Sequence, residues 1–177
     1  MITFEKQHAF APVNATHKLQ RPSFHKEELI LPYSAEQLFD LVADIEHYPD
    51  FLPGWKSVNI NKSDQNRLYV EQELGFPLFN FKVDSVADLD RPHHVFIAVE
   101  GGPFQRLEID WHFKSISSST THVSLLIQMD TYPGPQQSLL QQFLDYSAGS
   151  LLVYFERRAR EIYEIKNTPE LNRGKGG

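Results

Sequence analysis

The chain has 177 residues, 41% of them hydrophobic and 23% charged, a globular composition long enough to bury one real core. A formal net charge of −6 argues against DNA as a partner, because nucleic acid selects a basic face. The lack of cysteine excludes disulfides, a thiolate nucleophile and cysteine-ligated zinc.

Residues 1–23 show no periodicity and lack the apolar centre of a signal peptide, so they are expected to be a flexible leader. No run approaches the length of a membrane-spanning helix. The folded domain is expected over 24–166, and the polar, Gly-rich residues 167–177 are expected to be a disordered tail. "HKEELILPY" (25–33) reads as a first strand. "SAEQLFDLVADIEHY" (34–48) then takes helical spacing, with Leu38, Phe39, Leu41, Val42 and Ile45 on one stripe. Ser34 and Gln37 form a capping-box pattern, and Pro49 is expected to stop the helix. "HYPDFLPGW" (47–55) follows. It is too broken for a long helix and too apolar for an ordinary surface loop.

From there the period becomes two. Strands are expected at "SVNINKSD", "RLYVEQELGF", "LFNFKVDSV", "HVFIAVE", "FQRLEIDWHFKS" and "THVSLLIQM", separated by polar, Ser-rich or Gly-Pro turns. Their apolar sets include Val70 and Leu74 on one strand and Phe81 on the next. Trp111 and Phe113, then Leu125 and Ile127, follow on the last two. One apolar and one polar face per strand describes an antiparallel sheet solvated on one side. From about Ser138 to Lys166 the pattern predicts one long helix, with Leu140, Phe143, Leu144, Ser147, Leu151, Phe155, Ala159 and Ile162 in line. Strands followed by a helix give an α+β fold of about seven strands, with two short helices after the first.

Few motifs carry chemistry. There is no phosphate loop, no nucleophile elbow and no H-E-x-x-H spacing. His93 and His94 are adjacent and so point to opposite faces of a strand, while His112 and His122 face each other across a hairpin. A surface pair is the expectation there, and no metal site is expected. Gln72 and Ser85 are the polar members of the inward rows, and no convincing general acid or base stands among them. "ERRARE" (156–161) reads as a solvated helix face with Glu156–Arg160 and Arg157–Glu161 pairs.

Three stretches carry a resemblance: "LPYSAEQLFDLVADIEHYPDFLPGW" (31–55), "GGPFQRLEIDWHF" (101–113) and "YFERRAREIY" (154–163). Together they resemble the coenzyme Q-binding and RatA-like group of the START-like superfamily of polyketide cyclases, dehydrases and lipid-transport proteins. The chain departs from that pattern where Gly54 separates Pro53 from Trp55 and where the group's cysteine is missing. The role of Trp55 is therefore left open.

The resemblance implies a helix-grip fold, with a curved sheet wrapped around the C-terminal helix and an apolar cavity between them. It implies ubiquinone or another isoprenoid lipid as the bound ligand in support of respiration, and with no catalytic group among the inward rows neither a catalytic residue nor a cofactor is expected. Tyr48, Phe51, Leu52, Val70, Gln72, Leu74, Phe81, Trp111, Leu125, Ile127, Leu144, Leu151 and Phe155 are the expected lining. Gln72 is the first choice to orient a head group and Tyr48 the second. "HYPDFLPGW" becomes a short helical lid, with Phe51 and Leu52 plugging the mouth or touching a membrane surface. The alternatives are a RatA-like protein that binds the large ribosomal subunit, and a small-molecule cyclase or dehydratase. The expected compartment is the cytoplasm, peripheral to the inner membrane, with the matrix side of the mitochondrial inner membrane as the alternative.

Overall fold

The computed structural model of the protein describes residues 23–76, 79–134, 137 and 149–165. The expected leader and tail lie outside these residues, except that Ser23 already begins the first strand.

Seven strands form one antiparallel sheet: β1 (Ser23–Leu31), β2 (Trp55–Asp64), β3 (Arg67–Phe76), β4 (Phe79–Asp90), β5 (His94–Gly101), β6 (Phe104–Ser117) and β7 (Thr120–Thr131). Their order is β1-β7-β6-β5-β4-β3-β2. Strands β2 to β7 run as a meander, each paired with the next. β1 comes back to pair with β7, Leu29 opposite Val123 and Glu27 opposite Leu125. The alternation read from the sequence holds in β7, where Val123, Leu125, Ile127 and Met129 are all buried.

The first helix is shorter than its periodicity suggests. Helix α1 spans Ala35–Ala43 and opens on the expected capping box, with the Gln37 amide donating to Ser34 Oγ and the Ser34 amide donating to Gln37 Oε1. It ends at Asp44, a 3₁₀ turn carries Ile45–His47, and a second helix α2 takes Tyr48–Phe51. Pro49 therefore sits in the first turn of α2 and does not stop α1. A first-turn proline loses no hydrogen bond, and its fixed φ suits a helix start. Gly54, at φ 93°, then turns the chain into β2, a backbone conformation that a side chain would strain.

The C-terminal helix α3 spans Leu151–Ile165. Gly149 and Ser150 form a turn, and the Tyr154 amide donates to the Ser150 carbonyl as the helix opens. The expected uninterrupted helix from Ser138 is corrected at this point. Leu140, Phe143, Leu144 and Ser147 lie outside the described residues. Within α3 the inward line is Leu152, Phe155 and Ala159, with Leu151 half-buried beside it. Among the described residues, no helix is long and apolar enough to cross a membrane.

Candidate functional site

The inner face of the sheet can be read in rows, because directly paired residues share a face. One row runs Glu27, Leu125, Trp111, Val95, Leu89 across β1, β7, β6, β5 and β4. The next runs His25, Ile127, Ile109, Ile97, Ala87, Leu68 and reaches β3. Leu125, Trp111 and Val95 are at most 1% exposed, so this row is sealed from solvent. Phe155 on α3 packs against it, its ring edge-on to Trp111 at 5.0 Å.

Of the expected lining, Tyr48, Leu52, Val70, Gln72, Leu74, Trp111, Leu125, Ile127 and Phe155 are buried. Phe81 and Leu151 are half-buried, and Leu144 lies outside the described residues. Two groups emerge. Most of these residues belong to one core cluster with α1, α2 and α3. A second, smaller cluster joins Leu74, Val83, Phe104 and Met129, flanked by half-buried Phe81, Val99 and Leu107.

The "HYPDFLPGW" segment closes over the first cluster. Tyr48 is 5% exposed and its hydroxyl donates to the Val42 carbonyl at 2.6 Å. Burial holds the phenol neutral far above its ordinary range. The hydroxyl is thus committed to closing the end of α1, not turned to a cavity mouth. Phe51 stands edge-on to both Tyr48 and Phe155. Leu52 is 3% exposed and packs into the core, so it does not face a membrane. The apolar character of the segment is explained by what it covers. Arg158 straps it to α3, with its guanidinium over the Phe51 ring and against Asp50 and Glu161. Its Nε is buried without a hydrogen-bond partner among the described residues. Glu161 is thereby paired with Arg158, and Arg157 lies over the Tyr154 ring. The expected Arg157–Glu161 pair is replaced, while Glu156–Arg160 forms at 3.1 Å.

Trp55 acquires a definite place. Its indole N–H donates to Gln72 Oε1 at 2.8 Å, and Gln72 Nε2 donates to Ser85 Oγ at 2.8 Å. This chain crosses β2, β3 and β4 beneath the second cluster. Gln72 is 6% and Ser85 3% exposed, so the pairing satisfies polar groups that water does not reach.

A polar pair that the sequence reading passed over stands at the opposite edge of the same face. His25 Nε2 and Glu27 Oε1 are 2.7 Å apart on β1, with side chains 35% and 20% exposed. His25 is paired with Ile127 and Glu27 with Leu125, both inward. The signal was available: His25 and Glu27 share the parity of Leu29 and Leu31. Among the described residues, the inner face carries the titratable pair at the β1 edge, the amide-indole-hydroxyl chain toward β2, the buried hydroxyls of Thr121 and Thr131 at the two ends of β7, and apolar side chains between.

A family model for polyketide cyclase / dehydrase and lipid transport matches residues 31–147, well over half of the chain. The chain belongs to this family. Among curated relatives, the ribosome association toxin RatA of Pseudomonas aeruginosa is 27% identical over 135 residues, covering 76% of this chain and 93% of RatA. The mitochondrial coenzyme Q-binding protein COQ10 homolog B of Xenopus laevis is 25% identical over 149 residues, covering 82% of this chain and 61% of that protein. Among solved structures, the Zhui aromatase/cyclase of Streptomyces sp. R1128 superposes with a TM-score of 0.72 at 14% identity, over 84% of this chain and all of Zhui. A START superfamily protein of Mycobacterium smegmatis superposes at 0.62 with 15% identity, over 78% of this chain and 97% of its own. These structural likenesses establish the START-like helix-grip fold.

Proposed function

We propose that this domain is a non-catalytic carrier for ubiquinone or a similar isoprenoid lipid, held against the inner face of the sheet and serving respiratory electron transport. The observation that carries the reading is the distribution of polarity on that face, apolar across its middle and polar toward its edges and ends. An isoprenoid tail suits the middle, where each ~100 Å² of its surface removed from water contributes about 2.5 kcal/mol. A quinone head accepts hydrogen bonds through its two carbonyls, and the second amide hydrogen of Gln72, or His25 when both its ring nitrogens carry protons, is the donor of the right kind. The similarity to a coenzyme Q-binding protein supports the same ligand class. Peripheral contact with a membrane surface is part of this proposal, since the cargo resides there.

The test is mass spectrometry of lipids extracted from the protein purified out of a quinone-producing host, joined with titration of added quinone against tryptophan fluorescence. Co-purified quinone, with quenching of Trp111 or Trp55, is the expected result. No lipid and no quenching would end the proposal.

The similarity to RatA supports a second reading, association with the large ribosomal subunit. Charge weighs against it. Every described arginine except Arg157 sits against a carboxylate, as in Arg67–Asp88, Arg91–Asp40 and Arg106–Glu108. Phosphate recognition needs such groups available. Co-sedimentation with purified large subunits at physiological salt discriminates the two readings.

A further inference from the structure

The outer face of the sheet holds a constellation unconnected with the lipid-facing side. Sequence spacing pairs His112 with His122, but the register does otherwise: Lys114 faces His122, and His112 faces His94 across β5 and β6. The two imidazoles stack with centroids 4.4 Å apart and planes 16° from parallel. Asp110 is two residues before His112 on the same face. Its Oδ1 is 2.6 Å from His94 Nε2 and 3.1 Å from His112 Nε2. One donor atom from each of the three residues lies within 4.8 Å of the others.

We propose that His94, Asp110 and His112 bind a divalent transition-metal ion of the zinc class. Two imidazoles and a carboxylate are the donors such ions take, whereas calcium and magnesium select all-oxygen sites. Bond lengths of roughly 2.0–2.2 Å around a tetrahedral ion place ligand atoms about 3.3 Å apart. The Nε2–Oδ1 spacings lie near that value, and the stacked rings must tilt out of parallel to aim both lone pairs at one ion, a movement that the exposure of His112 permits. Without metal, both Nε2 atoms point at one carboxylate oxygen, and each can bond it only by carrying its proton. The ion takes the place of those protons, which leave to solvent or move to Nδ1. Asp90 is in register with His94 on β4 and shares its face, but it stands outside the group whose ligand atoms lie within 4.8 Å, so water is left to complete the coordination. Trp111 and Val95, next to the ligands in sequence, point into the core, which fixes the backbone of both strands. The ion would clip β5 to β6 on the side opposite the proposed lipid.

The probe is Zn²⁺ alone, titrated calorimetrically into the full chain in a non-coordinating buffer. One equivalent should bind. His94→Gln, His112→Gln and Asp110→Asn should each weaken that binding at least about tenfold, since even outer-shell changes cost 10–100-fold. His122→Gln and His25→Gln, which alter histidines elsewhere on the sheet, should leave it unchanged. Imidazole resonances of His94 and His112 should shift on zinc addition, a readout independent of the variants' stability. No stoichiometric binding overturns the proposal, as does equal affinity in wild type and the three ligand variants, or resonances that do not move.

Discussion

Gln72→Leu tests whether the polar chain of β2–β4 is a structural joint. Leucine approximates glutamine in size and removes both of its hydrogen bonds, so the indole N–H of Trp55 and the hydroxyl of Ser85 lose their partner at once. A buried polar group left unsatisfied costs about 1–3 kcal/mol. Ser85, at 3% exposure, should incur most of that. Trp55 is half-buried and recovers some solvent, so its share falls at the lower end. Added apolar burial from the leucine offsets about 1 kcal/mol. The net expectation is a loss of about 2–3 kcal/mol, measured by urea unfolding, and a Tm lower by roughly 4–12 °C for a domain of this size. Replacing the partners as well removes the orphaned groups, so the Trp55→Phe, Gln72→Leu, Ser85→Ala triple variant should recover most of the loss. If Gln72→Leu alone costs nothing, or if the partner substitutions simply add further destabilisation, the three side chains do not act as a unit and the reasoning fails.

Tyr48→Phe removes the donor to the Val42 carbonyl and should cost about 1–2 kcal/mol in denaturant unfolding, because the acceptor it leaves is buried. Ser34→Ala breaks the capping box of α1 and should cost about 1 kcal/mol, with Ser34→Gly milder; equal stability of Ala and wild type would remove the cap from the account. Leu52→Ser should destabilise by about 3 kcal/mol or more, as a core truncation does, whereas a residue that only touched a membrane would tolerate serine. His47 is held above its ordinary value of 6.5 by its hydrogen bond and charge attraction to Asp44. A raised folded pKa means that this contribution is complete below 6.5 and is lost as pH rises through the folded value. An NMR titration of the His47 ring should therefore show a lower midpoint in Asp44→Asn, and an unmoved midpoint would remove Asp44 as the cause.

Much of the fold was legible because the chain changes period sharply. The alternation at Leu107, Ile109, Trp111 and Phe113 admits only a strand with one buried face, and β6 supplies it. What failed was local. The stripe from Leu38 to Ile45 continues the helical period past Asp44, yet the chain tightens there into a 3₁₀ turn, and periodicity does not distinguish the two over three residues. Gly149 was read through for the same reason, since the apolar line on either side of it stays in phase. The site was legible only in part because register is a tertiary fact. The strand pattern places His94 and His112 on one face but does not say that they meet. Likewise His25 and Glu27 matter only once β1 is laid beside β7. Trp55 needed the pairing with Leu74 and the reach to Gln72 before its role had meaning.

An apolar inner face does not by itself separate a solid core from a carrier, and Leu125 or Ile127 would be buried in either. Hydrogen-bonding capacity separates them better. Thr121 donates to the Tyr33 carbonyl and Tyr48 to the Val42 carbonyl, each using its single hydroxyl proton. Those groups serve the fold, and neither has a proton left for a ligand's carbonyl. Gln72 is different: one amide hydrogen and one oxygen lone pair remain beyond its two bonds. His25 has a second ring nitrogen, which donates when both ring nitrogens carry protons, whereas the remaining oxygen of Glu27 only accepts. Under the carrier reading, the leftover donors of Gln72 and His25 are where a quinone head would be held, and the half-buried Phe81, Val99 and Leu107 of the second cluster, not the sealed Tyr48–Trp111–Phe155 end, are where its tail would pack. The two readings then diverge on a single substitution pair. In a solid core, His25→Ala and Phe81→Ala change stability alone, whereas in a carrier they also lower the amount of quinone that co-purifies.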